Sequence, residues 1–224
     1  MVSLLEGSLY FSLFVQVITI GIGFYGLMLQ VPSKDSILKS AVGLETLVSG
    51  IQLSFYSWYA YHFREVSTAI FYRYHDWVLT TPIMLFTTVL YYDYNNTPEE
   101  DKTIKSVWEK YKLEISLIFM LNLMMLIFGY LYEVKILDLF TSNTMGFAGL
   151  VGSFYILYDS FVSKNLAANL PLFTFMSVVW GFYGVAATFE PTTKSIFYNL
   201  IDTVSKNFYS IFLTYVLYQK SKTN

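Results

Sequence analysis

RYHDWVLTTPIMLFTTVL, residues 73–90, is the stretch on which the fold turns. Arg73, His75 and Asp76 stand at its head, and residues 78–90 carry no charge at all. A water-exposed helix needs a polar face, and this run has none to offer. It is long enough to cross lipid, since a ~30 Å hydrocarbon core asks for about 20 apolar residues. Working outward, six further runs of this kind appear, and together they predict spans at 8–29, 37–61, 69–91, 113–131, 139–162, 166–189 and 196–218. The connections are short. The longest, DYNNTPEEDKTIKSVWEKYK at 93–112, has turn residues and mixed charge.

Composition agrees. The 224 residues are 55% hydrophobic and 13% charged, about half the usual charge, so seven such runs could not dissolve as a soluble bundle. The absence of cysteine removes disulfides and thiolate chemistry, and a net charge of −2 gives no footprint for nucleic acid. No cleavable signal peptide, internal repeat, metal site or enzymatic constellation is expected. The sequence therefore predicts an all-α protein, a single seven-transmembrane helix bundle over 1–224. Lys34, Lys39, Lys102, Lys105, Lys110, Lys112, Lys164, Lys220 and Lys222 gather on one side, against Arg64, Lys135 and Lys194 on the other. That bias places the N-terminus outside and the C-terminus in the cytoplasm.

The two remaining basic residues, Arg73 and Lys206, both fall inside spans. A charge at membrane depth costs at least ~2.5–3.5 kcal/mol, so each is a functional hypothesis. Arg73, Asp76 and Thr80 share one helix face by their spacing of three and four, and Asp202 and Lys206 share another. Lys206 lies near the middle of its span and needs a counter-charge or a covalent fate; Asp76 and Asp202 are the counter-charges available. Glu45 lies in the second span, on the lysine-rich side. Asp159, at the end of the fifth span, reads as an interfacial carboxylate. His75 reads as an interface histidine or as a modulator of Asp76. Glu190 reads as a solvated loop acid or as a proton-release group.

Three motifs resemble those of the microbial (type 1) rhodopsins: RYHDWVLTTP in the third span, WGFY in the sixth and DTVSK in the seventh. The resemblance covers nearly the whole chain. It implies all-trans-retinal bound as a Schiff base to Lys206. Asp76 would be the counterion and proton acceptor, hydrogen-bonded by Thr80, with Asp202 as second counterion and Arg73 guiding release. Trp77, Trp180 and Tyr183 would wall the polyene, with Met84 and Thr81 also lining it and apolar Met84 favouring green absorption. Pumps of the family usually carry a carboxylate eleven residues after the counterion; Thr87 stands there instead. The W-x-x-Y pair is usually followed by Pro; here it is Gly184. A glutamate in the second span, as in Glu45, resembles rhodopsins encoded by large DNA viruses and would fill the donor role, with Ser12 and Asn207 converging on the same polar path. The resemblance leaves open an outward proton pump, a light-gated cation channel and a photosensor. It implies a multi-pass protein of a host cell membrane, partnered by lipid and by copies of itself as a trimer or pentamer, with no soluble partner.

Overall fold

A computed structural model describes residues 2–222, with side chains from residue 4 onward. Seven long helices carry the chain: α1 (Val2–Met28), α2 (Ser36–Tyr61), α3 (Arg73–Asn96), α4 (Lys112–Glu133), α5 (Leu139–Leu157), α6 (Leu166–Ala186) and α7. The last is assembled from Pro191–Asp202, a π-helical segment Thr203–Phe208 and Tyr209–Ser221. Each helix packs on its neighbours in sequence and α7 closes back on α1. Across this ring α2 also touches α7, and α3 touches α6. No strand occurs among the described residues.

Among the described residues, three stretches are both long and apolar enough to cross a membrane: Leu4–Met28, Lys112–Glu133 and Leu139–Ala186, the last spanning α5 and α6. The remaining helices, α2, α3 and α7, are the ones that carry Glu45, Asp76, Asp202 and Lys206 on buried faces. Their hydropathy falls because their polar residues point inward, while outward faces such as that of α1, with Phe11 and Phe14, stay apolar and exposed. The chain is an integral membrane protein.

The third span starts later than predicted and ends later. Residues Ile70–Tyr72 form a 3₁₀ turn after the non-helical Ala69, so Arg73 opens α3 rather than sitting a turn inside it. At the other end the helix continues through YYDYNN because Asp93 is neutralised: Lys102 Nζ lies 2.9 Å from its Oδ2, and Tyr111 donates to its Oδ1 at 2.8 Å. That buried pair pins the long loop, whose short helix Ile104–Lys110 is started by a Thr103–Ser106 capping box. Helix α7 begins at Pro191, five residues before the predicted start, with Glu190 as its N-cap.

The α3 start and the α7 start lie at the N-terminal end of the bundle, together with the α4–α5 turn. A buried ion pair, Lys194 Nζ to Glu133 Oε1 at 2.8 Å, joins α7 to α4 there. The lysine-rich end lies opposite. Lys206 sits between them, inside the π-helical segment of α7. A π turn widens the helix by one residue and recurs at functional sites.

Candidate functional site

The charges that hydropathy would not tolerate meet in one place. Lys206 Nζ lies 2.5 Å from Asp76 Oδ2 and 3.5 Å from Asp202 Oδ1. Arg73 Nη1 stands 3.7 Å from Asp202 Oδ2 on the side toward the N-terminal end. All four residues are buried, so each charge depends on the others for compensation.

The two aspartates are held differently. Asp202 accepts from three donors: Tyr56 Oη at 2.8 Å, Tyr183 Oη at 2.6 Å and Trp77 Nε1 at 3.2 Å. Asp76 Oδ2 takes only Lys206, and Asp76 Oδ1 has no protein partner. An ionised carboxylate offers about four lone-pair directions, so Asp76 has far more acceptor capacity to spare than Asp202. Thr80 does hydrogen-bond Asp76, but at the backbone carbonyl (2.9 Å) and not at the carboxylate. This is the back-bond a helical threonine makes to the residue four before it. Arg73 is fixed by Tyr56 Oη at 3.0 Å and Asn199 Oδ1 at 2.5 Å, and its guanidinium lies over the Tyr59 ring at 5.0 Å.

A pocket opens from Lys206 between α3, α4, α5 and α6. Trp77, Thr81, Met84, Trp180 and Tyr183 line it, with Leu126, Phe147 and Leu150 completing an apolar wall. Its empty space amounts to about 740 Å³, counting the part open to the surroundings. A lysine amine in the wall of an aromatic, nearly uncharged pocket suits an apolar aldehyde. Gly184 belongs to this shape: a Cβ there would lie 2.4 Å from Phe147 Cζ, so any larger residue would expel that ring. The opposing wall is pinned by Asn122 Nδ2, which donates to Thr81 Oγ1 at 2.8 Å.

Glu45 lies on the lysine-rich side of Lys206 and is fully buried. Thr87 donates to its Oε1 at 2.5 Å, so α2 brings a carboxylate to the position where α3 lacks one. No cation stands within ion-pair reach of Glu45 among the described residues. Of the two residues expected to converge on Glu45, Ser12 does not, and Asn207 makes no hydrogen bond to it. Ser12 instead donates to Asn199 O at 2.7 Å and pairs with Thr203 Oγ1 at 2.6 Å, tying α1 to the other half of α7. Neither amide atom of Asn207 has a protein partner.

His75 is exposed and bonds the Tyr72 carbonyl at 3.0 Å, turned away from Asp76. Asp159 is exposed. Glu190 accepts from Thr192 N at 2.9 Å, from Thr193 N at 2.7 Å and from the Thr193 hydroxyl. Those donors, the Thr193 hydroxyl first, hold its carboxyl below the ordinary glutamate value. It is a helix cap, and an ionised one. Sequence reading passed over Tyr56, Asn199, Asn122 and Tyr209, none of which stands in a charged or motif position.

The bacteriorhodopsin-like protein family matches residues 8–220. No curated protein matches the chain. Among solved structures, the viral rhodopsin OLPVRII is 28% identical, with 96% of this chain and 98% of that one covered and a TM-score of 0.85. A blue light-absorbing proteorhodopsin from Med12 is 16% identical, covering 97% and 98%, at TM-score 0.74. Xanthorhodopsin, described as a light-driven ion pump with dual chromophore, is 16% identical, covering 99% and 95%, also at 0.74. The last two likenesses concern the fold alone. With its seven-helix ring, its buried lysine between two aspartates and a family match over nearly all its length, the chain belongs to the bacteriorhodopsin-like family of microbial rhodopsins.

Proposed function

We propose that the protein is a light-driven outward proton pump in which Asp76 accepts the proton from Lys206 Nζ and Glu45 returns one. The lysine-rich end faces the cytoplasm on this reading. Lys206 would hold retinal as a Schiff base, and the bound group would supply light absorption and isomerisation next to Nζ. Asp76 receives the Nζ proton because its Oδ2 is 2.5 Å away and its Oδ1 is unbonded. Asp202, held by Tyr56, Trp77 and Tyr183, stays in place as the fixed counter-charge. Arg73 holds the outward side of Asp202 and shields the route toward the N-terminal end. Glu45 then gives a proton to Nζ and is refilled from water on the lysine-rich side. Thr87 orients Glu45 through their 2.5 Å contact, and that contact is the observation that carries the reading. It supports a donor on the side of Lys206 opposite Asp76, which a one-way relay requires.

A second reading, a light-gated cation channel, is favoured by a different observation. Gln16 on α1, Gln52 on α2 and Asn207 on α7 are fully buried, and none of their six amide N and O atoms has a protein partner. Buried amides without partners are sites for water, and a file of them between three helices would suit ion passage. Photocurrent against voltage in a clamped cell separates the two. A current that stays outward at every potential supports the pump. Reversal at an ion's equilibrium potential overturns it in favour of the channel.

A further inference from the structure

Tyr209 is a fully buried residue that no motif reaches, one turn of α7 beyond Lys206 and directly after the π-helical segment Thr203–Phe208. Its hydroxyl lies 3.0 Å from Thr88 Oγ1 and 3.2 Å from Thr87 Oγ1. Proton accounting orders this cluster. Thr88 sends its single proton to the Met84 carbonyl at 2.7 Å, so toward Tyr209 it can only accept. Thr87 has two acceptors within reach, Glu45 Oε1 at 2.5 Å and the same Met84 carbonyl at 2.9 Å. Glu45 Oε1 is the nearer of the two, and the carbonyl already takes the Thr88 hydroxyl beside its own helical N–H bond, which leaves the Thr87 proton for Glu45. The Tyr209 proton, shared between the two threonines, then completes a chain from Tyr209 through Thr87 to Glu45. Such chains polarise each member toward the next.

Two further features make the tyrosine movable. It closes the π turn that holds Lys206, so a change of register there shifts the Tyr209 ring first. It also borders an apolar cavity with Tyr91, Pro171, Phe208 and Phe212, of about 800 Å³ counting the part open to the surroundings, which gives the ring somewhere to go.

We propose that Tyr209 is the positioning residue that couples the backbone at Lys206 to the Glu45–Thr87 pair. This rests on Glu45 as donor, and the two claims fail separately. The test is light-induced infrared difference spectroscopy with flash kinetics on the retinal-reconstituted protein, comparing wild type, Tyr209→Phe and Glu45→Gln. The carbonyl band absent in Glu45→Gln identifies Glu45. In wild type that band shifts before any proton returns to Lys206. Tyr209→Phe keeps the pigment, loses the early shift and slows proton return about fivefold, the rate equivalent of one net hydrogen bond. An early shift and a return rate equal to wild type in Tyr209→Phe overturn the coupling. A return rate unchanged in Glu45→Gln overturns the donor instead, while the band shift still decides the coupling. Should Tyr209→Phe fail to fold, Thr87→Val removes the same link from its other side and loses the same early shift if the coupling holds. Thr87→Ser, which restores the hydroxyl, recovers it.

Discussion

At the scale of single residues the site is a contest between one ammonium group and two carboxylates, all buried. Lys206 is legible in the sequence because a lysine in mid-span has no bland explanation, and Asp76 and Asp202 follow as its counter-charges. Lys206→Ala is expected to abolish the visible band after incubation with retinal; a stable pigment in that variant would undo the assignment. Tyr56 is a different case. It is one of 20 tyrosines, and nothing in its neighbourhood in the sequence distinguishes it from a lipid-facing ring. Only the fold shows that its hydroxyl donates to Asp202 and accepts from Arg73, so that one oxygen joins the two opposite charges. Tyr56→Phe keeps the ring and strips a partner from each of two buried charges. A loss of ~1–3 kcal/mol is expected, read as earlier thermal loss of the visible band. A midpoint equal to wild type would mean water replaces the hydroxyl without cost.

At the scale of elements, the ends and close approaches of helices were less legible than their existence. Seven apolar runs announce seven helices, but the start of α3 depends on Ala69 leaving the helical region, and the start of α7 on Glu190 capping it. The cap carries a pH dependence whose sign is fixed. Because the folded carboxyl lies below its ordinary value, its contribution is complete above that value, near 4.5, and fades as pH falls through the lower folded one. Glu190→Gln should therefore lower the thermal midpoint at neutral pH and narrow its difference from wild type as the medium is acidified below about pH 4. A constant difference across that range would remove the cap from the account. The contact between α4 and α5 was invisible in sequence for another reason: it depends on a missing side chain. A Cβ on Gly149 would lie 2.6 Å from the Leu121 carbonyl oxygen, a backbone atom that cannot swing aside. Gly149→Ala should push the helices apart at a cost of ~1–3 kcal/mol. Since both helices wall the pocket, the thermal midpoint and the position of the visible band should both move; an unchanged midpoint would show that the helix pair has slack.

At the scale of the whole molecule, function depends on an asymmetry between two ends. The N-terminal end carries the ionised Glu190 cap and the Lys194–Glu133 pair between α7 and α4. The opposite end carries the surface lysines and, deeper in, Glu45. The sequence displayed this asymmetry in its lysine count and in the absence of an acid at Thr87; it did not display that α2 places Glu45 against Thr87, because the register between two helices is set by packing that no spacing within one helix encodes. Direction of transport follows from how these ends are set in a membrane. Cells that hold the protein with its lysine-rich end inside should acidify an unbuffered medium when illuminated, and a protonophore should abolish the change. Accessibility of a tag on the N-terminus, read on the same intact cells, fixes the orientation independently. Acidification with an external N-terminus agrees with outward transport through Asp76. Alkalinisation with the same orientation would reverse the relay, making Glu45 the acceptor and overturning the roles given to both carboxylates.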